Sequence, residues 1–170
     1  MTAEDVEDKE EQWSLALDDQ VCFALYAASR AVTGLYRPVL EALGLTYPQY
    51  LVLLVLWERG QVPVRELGEA LSLDYGTLTP LLKRLEAHGL LRRERSARDE
   101  RSVLITLTDD GVALRSKASG IPAYAAGALG LEPAEYDQLR VLLRRLTGNA
   151  TRAAASPPPE LLNPPPWPAR

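Results

Sequence analysis

The chain has 170 residues, 46% hydrophobic and 25% charged, which suits one domain with a sizeable core and not comfortably two. No apolar run approaches the roughly 20 residues needed to span a bilayer, YLVLLVLW being too short, and the single cysteine, Cys22, excludes an intrachain disulfide. A net charge of −4 and a pI near 5.1 argue against a nucleic-acid partner, until the charge is located: residues 1–20 carry −7 and the remaining 150 residues carry +3. Cys22 and His88 alone cannot form a zinc ligand set, so neither a metal nor another cofactor is expected. The opening MTAEDVEDKEEQ is the opposite of the basic, then apolar start of a signal peptide, which makes the cytoplasm the expected location.

In chain order, residues 1–12 read as an acidic, self-repelling, flexible tail. Residues 17–43 follow as a long helix with Leu17, Val21, Leu25 and Ala28 on one stripe, a kink expected at Pro38 and a stop at Gly44. YPQYLVLLVLWER, residues 47–59, is apolar nearly all round and is expected to be the central buried helix, with Pro48 in its first turn. VRELGEAL, residues 64–71, is a short amphipathic helix. Leu78, Leu82 and Leu85 then repeat at helical spacing, with Asp74 as N-cap and Gly89 as a left-handed stop. Pro80 crowds the carbonyl of Gly76, so a start at Thr79 is the alternative; it would leave a helix of under three turns, and Asp74 is preferred.

Residues 90–95 and 101–107 form two short strands around the polar turn SARDE. Thr108 caps a helix over 109–119, which Gly120 and Pro122 interrupt. Residues 132–146 place Leu139, Leu142, Leu143 and Leu146 on one stripe and end near Gly148. Seven prolines among residues 156–170 exclude helix and sheet there. The expected organisation is an acidic tail (1–12), a winged-helix domain framed by N- and C-terminal helices (13–150) and a proline-rich, disordered or polyproline tail (151–170).

Helix, turn, helix and hairpin over residues 64–108 define a winged helix-turn-helix, a mainly α fold with a small β-hairpin wing. Thr77, Thr79, Lys83 and Arg84 on the second helix are the side-chain types that reach phosphates and base edges of double-stranded DNA from the major groove. The wing adds Arg92, Arg93, Arg95, Arg98 and Arg101, and residues 83–101 sum to +3. A solvated, salt-bridged surface is the competing reading of a basic hairpin; the order of elements favours DNA. The framing helices are more apolar than one small core requires, which fits a subunit interface or a larger monomer core. A lone cysteine on an apolar helix is ordinarily a small buried residue.

The segments LDDQVCFALYAASRAVTGLYRPVLEALGLTYPQYLVLLVLWE and LDYGTLTPLLKRLEAHGLLRRERSARDERSVLITLT resemble the MarR family, specifically its organic-hydroperoxide-sensing repressors of the OhrR type. The likeness covers about residues 17–146, and its most specific part is the cysteine in QVCFALY with the tyrosines in GLYRP and TYPQY. The resemblance implies a homodimer whose recognition helices enter successive major grooves of a pseudo-palindromic operator, with Arg101, held by Asp99, in the flanking minor groove. It implies that Cys22 is the redox sensor, that Tyr36 and Tyr47 of the partner subunit hydrogen-bond to it, and that its oxidation releases DNA. If Cys22 and Tyr36 share one helix, fourteen residues separate them by about 21 Å, so any contact must cross the dimer. Tyr26, one turn after Cys22, can share its face.

Three departures stand out. No second, resolving cysteine is present, so the chain resembles the one-cysteine type, in which a sulfenic acid forms a mixed disulfide with a small thiol or overoxidises. Tyr75 stands where the family has smaller residues, and the proline-rich tail has no counterpart. The alternative function is a MarR-type repressor released by a phenolic or lipophilic ligand, with Cys22 structural. An enzyme is not expected, because the sequence offers neither a phosphate-cradling glycine loop nor a general base for the thiol.

Overall fold

The computed structural model describes residues 15–95 and 102–156. The acidic tail, the wing turn with Arg98, Asp99 and Arg101, and most of the proline-rich tail lie outside the described residues. The chain divides into two compact units, one through Ala125 and one from Ala126.

The first unit opens with a 3-10 turn, Leu17–Asp19, and continues as α1 (Val21–Glu41), α2 (Tyr47–Arg59), β1 (Val62–Pro63), α3 (Val64–Leu71), α4 (Tyr75–Ala87), β2 (Leu91–Arg95), β3 (Val103–Leu107) and α5 (Asp109–Ala118). The division falls inside α6 (Ile121–Ala128). The expected long N-terminal helix is thus a turn plus α1, which runs through Pro38. α2 occupies the expected residues: Thr46 and Gln49 cap it reciprocally, with the Thr46 amide donating to Gln49 Oε1 at 2.8 Å. Val52 and Leu53 are fully buried, as an all-round apolar helix requires, and Leu40 and Leu45 from the α1 end join them.

α3 and α4 bury Leu67, Leu78, Leu82 and Leu85 in the same core. Asp74 is the N-cap of α4, so the helix starts there and not at Thr79, and it absorbs Pro80 in its second turn. Gly89 follows at φ 72°, the left-handed conformation expected of the stop. The wing strands pair antiparallel with Leu91 opposite Leu107 and Arg95 opposite Val103. No strand was expected at β1, two residues including a proline, which adds a third strand through Val62 opposite Ile105.

Thr108 caps α5, accepting from the Gly111 amide at 3.1 Å, and Trp57 Nε1 donates to the Gly111 carbonyl at 2.8 Å. A side chain at Gly111 would collide with the carbonyl of Leu90, so the first turn of α5 must be bare where the wing begins. Pro122, expected only to interrupt, instead lies in the first turn of α6, where its missing donor costs nothing.

In the second unit, α7 (Pro133–Ala154) runs past the stop expected near Gly148. Glycine inside a helix costs about 1 kcal/mol, and the following NATRAA continues the helix with an Arg152 to Asn149 bond at 2.6 Å. None of its residues is buried; Leu139, Leu142, Leu143 and Leu146 are each more than a third exposed.

Gly111→Ala should destabilise the protein by about 3 kcal/mol, since the new methyl meets backbone rather than a yielding side chain. Thermal unfolding should fall by about 6–12 °C. Gly120→Ala, which meets nothing within 4 Å, is the matched control and should change stability by less than about 0.5 kcal/mol. Equal melting of the two variants would refute the steric account.

Candidate functional site

α4 presents its leucines inward, which leaves Gly76, Pro80, Lys83 and Ala87 along the opposite ridge at i, i+4, i+7 and i+11. The two threonines expected to read DNA flank that ridge, and both hydroxyls are already engaged. Thr77 Oγ1 donates to Asp74 Oδ2 at 2.7 Å while its amide donates to Oδ1 at 2.8 Å. Thr79 Oγ1 donates to the Tyr75 carbonyl at 2.7 Å. The bonds from Thr77 hold the Asp74 carboxyl below its usual pKa, so the cap stays ionised at neutral pH. With their protons committed, the two hydroxyls retain only acceptor capacity toward a ligand.

Strand parity sorts the wing cations. Leu91, Arg93 and Arg95 share one face of β2, opposite Leu107, Ile105 and Val103, and Arg92 and Glu94 share the other. Arg93 therefore faces α4, where its Nε lies 2.8 Å from Glu86 Oε2 and its amide donates to Oε1 at 3.1 Å. That pair, about two-thirds buried on both sides, pins the wing strand to α4 and neutralises the arginine. Arg92 pairs with Glu94 at 2.7 Å. Among the described residues of α4 and the wing, Lys83, Arg84 and Arg95 have no carboxylate partner. Of the residues expected to meet DNA, the structure thus leaves these three without a carboxylate partner, ties Thr77, Thr79, Arg92 and Arg93 to neighbours, and does not describe Arg98, Asp99 and Arg101. The spacing D-x-x-T at 74–77 and the threonine four residues after Tyr75 were the signals, missed in the sequence, that those hydroxyls serve the helix.

Cys22 is the second residue of α1 and is exposed. Tyr26, one turn on, is also exposed and meets Arg30, whose Nη1 donates to its hydroxyl at 3.1 Å and whose guanidinium lies 5.7 Å from its ring centre. Tyr36 sits fourteen residues along the same helix from Cys22, about 21 Å by helical rise, so one chain does not bring the two together. It does bring the two tyrosines together: the rings of Tyr36 and Tyr47 are 4.8 Å apart, tilted at 49°. The aromatic contact continues from Tyr36 to Tyr50 at 6.1 Å and from Tyr50 to Trp57 at 6.2 Å, edge to face, ending at the indole bond to Gly111. Burial raises the phenol pKa of Tyr47, and burial followed by the neighbouring Tyr47 raises that of Tyr50. Both phenols therefore keep their protons at neutral pH and remain donors.

No group of metal-ligating side chains occurs among the described residues, and no helix among them is long and apolar enough to cross a membrane. A family model described as transcriptional regulator SarA/Rot matches residues 34–117, from the second half of α1 through α5. The organic hydroperoxide resistance transcriptional regulator of Bacillus subtilis (strain 168) is 50% identical over 132 residues, covering 78% of this chain and 90% of the relative. Among solved structures, AbfR of Staphylococcus epidermidis, reduced and bound to DNA, is 36% identical with a TM-score of 0.73, covering 85% of this chain and 99% of that one. The PcaV transcriptional regulator from Streptomyces coelicolor, in complex with its natural ligand, is 26% identical with a TM-score of 0.74, covering 81% and 98%. With the winged-helix fold, the identity over most of both chains places this protein: it belongs to the MarR family of transcriptional regulators, among the organic-hydroperoxide-sensing repressors of the OhrR type.

Proposed function

We propose that the protein is a cytoplasmic homodimeric repressor that holds a pseudo-palindromic operator while Cys22 is reduced and releases it when an organic hydroperoxide oxidises that residue. The observation that carries this reading is the separation of an exposed thiol at one end of α1 from an assembled tyrosine pair at the other. A second copy, antiparallel at this helix, would bring each thiol to the other chain's Tyr36 and Tyr47. The exposed leucines of α7 supply apolar surface for that second copy to cover. Support for the signal comes from the name of the B. subtilis relative, and support for DNA from the AbfR complex.

The chemistry is stoichiometric sensing, not turnover. The Cys22 thiolate attacks the distal peroxide oxygen, the O–O bond breaks, and the leaving alkoxide takes a proton from water, giving a sulfenic acid and an alcohol. A small thiol then displaces hydroxide from the sulfenic sulfur, forming a mixed disulfide and water. Either product removes the acceptor that the phenol donors of Tyr36 and Tyr47 address and adds bulk between helices, so the half-site spacing no longer matches the operator. A shift from mostly bound to mostly released needs about 5 kcal/mol of preference, within reach of two lost charge-assisted bonds plus steric wedging.

Cys22→Ser should bind operator with native affinity and ignore peroxide, measured by duplex binding before and after treatment. Release of that variant at the native dose would make the cysteine structural and favour repression relieved by a phenolic or lipophilic ligand. Tyr36→Phe and Tyr47→Phe should respond more slowly at the same dose, because a thiolate deprived of phenol donors is less stabilised; native oxidation rates in both would refute the pairing. On the DNA face, Lys83→Ala should weaken binding to all duplexes and reduce the slope of log K against log salt by about one. Arg93→Ala should change that slope less, its charge being already offset by Glu86. A larger slope change for Arg93 than for Lys83 would reverse the assignment.

A further inference from the structure

In the first turn and a half of α4, one side-chain donor has no partner among the described residues. Residues near the N-terminus of a recognition helix are those that meet base edges, and the major groove offers mostly acceptors there: purine N7, guanine O6 and thymine O4. Reading them takes donors. In the first turn and a half of α4, Gly76 and Pro80 have no side-chain donor, Thr77 has given its proton to the capping carboxylate, and Thr79 has given its proton to a backbone carbonyl. Tyr75 remains. It is the first helical residue and is 70% exposed, and among the described residues nothing bonds its hydroxyl. Side chains lean toward the N-terminus of a helix, so a side chain at the first position projects beyond the helix end. The ring also borders a cavity of about 630 Å³ between α3, α4 and β3, which gives it room to reorient without disturbing the core.

From this we infer that Tyr75 is a specificity-determining residue of the DNA-reading surface, its phenol O–H donating to a base acceptor in the major groove and its ring lying against the neighbouring base. The inference rests on the proposed DNA-binding function and adds the residue that selects sequence. A neutral phenol releases no counterions, so Tyr75 acts on base preference and leaves electrostatic affinity alone. Thr77 and Thr79, as acceptors, can take only the amino groups of adenine and cytosine, so the two kinds of side chain read different bases.

The test is selection from a pool of duplex DNA with randomised half-sites, at fixed salt and with reduced protein, comparing native protein, Tyr75→Phe and Tyr75→Ala. The native protein should enrich one base at a position repeated symmetrically in both half-sites. Tyr75→Phe should lose about three- to ten-fold of that preference, the worth of one neutral hydrogen bond, with preferences elsewhere unchanged. Tyr75→Ala should lose more, and all three proteins should bind unselected duplex with the same salt slope. Identical preferences in the three proteins would overturn the inference. So would a uniform loss across all sequences with a shallower slope, which marks a phosphate contact. A native protein that enriches nothing would instead remove the reading of a sequence-specific operator repressor, and the inference with it.

Discussion

Burial of α2 sets the positions of the elements that pack on it, because a helix that is apolar nearly all round has to cover most of its surface, and of its central residues only Leu54 stays exposed. Val52 and Leu53 have no exposure at all, and the residues that cover the helix come from the end of α1, from α3 and α4, from β3 and from α5. Once α2 is enclosed, α4 has no freedom to turn: three leucines face the core, so the ridge of Gly76, Pro80, Lys83 and Ala87 must face out. The outward face of α4 is thus a consequence of packing. The wing obeys the same constraint, since Leu91 and Ile105 can be buried in only one strand register.

That register has an electrostatic consequence. Parity sends Arg93 to the core side of the sheet, where Glu86 accepts it, and sends Arg92 to the other side with Glu94. A surface that carries a dense run of arginine in the sequence is therefore partly neutralised in the fold, and among its described cations Lys83, Arg84 and Arg95 are without a carboxylate partner. The Arg93 pair has a second effect. Being two-thirds buried, it is less screened than a surface pair, and it holds the wing against the helix it serves.

The sensor elements are organised by length. Twenty-one residues of α1 keep Cys22 and Tyr36 at opposite ends, while α2 places Tyr47 beside Tyr36 and continues the aromatic contact through Tyr50 to Trp57. The contact ends on the Gly111 carbonyl, at the turn that Leu90 crowds from the start of the wing. Tyrosine pair, central helix, α5 and wing are therefore joined by contiguous side chains, so a rearrangement at the pair has a packed, poorly compressible medium to act through.

The helical periodicity was legible in the sequence by itself: α2 and α3 run over the expected residues, Asp74 and Thr108 are the expected caps, and Gly89 is the expected stop, because local spacing and cap chemistry decide such elements within a few residues. The QVCFALY, GLYRP and TYPQY segments also carried the family. Pattern alone did not yield β1, whose two residues form a strand only because β3 is there to pair with, or the helix that starts at Ile121 with Pro122 in its first turn, or the extension of α7 through Gly148. Nor did it separate Arg93 from Arg95, or show that Thr77 and Thr79 spend their protons inside α4, leaving Tyr75 as the open donor. A residue type states what a side chain can bond. Which bonds remain available depends on neighbours brought close by the fold, and only the tertiary structure supplies those.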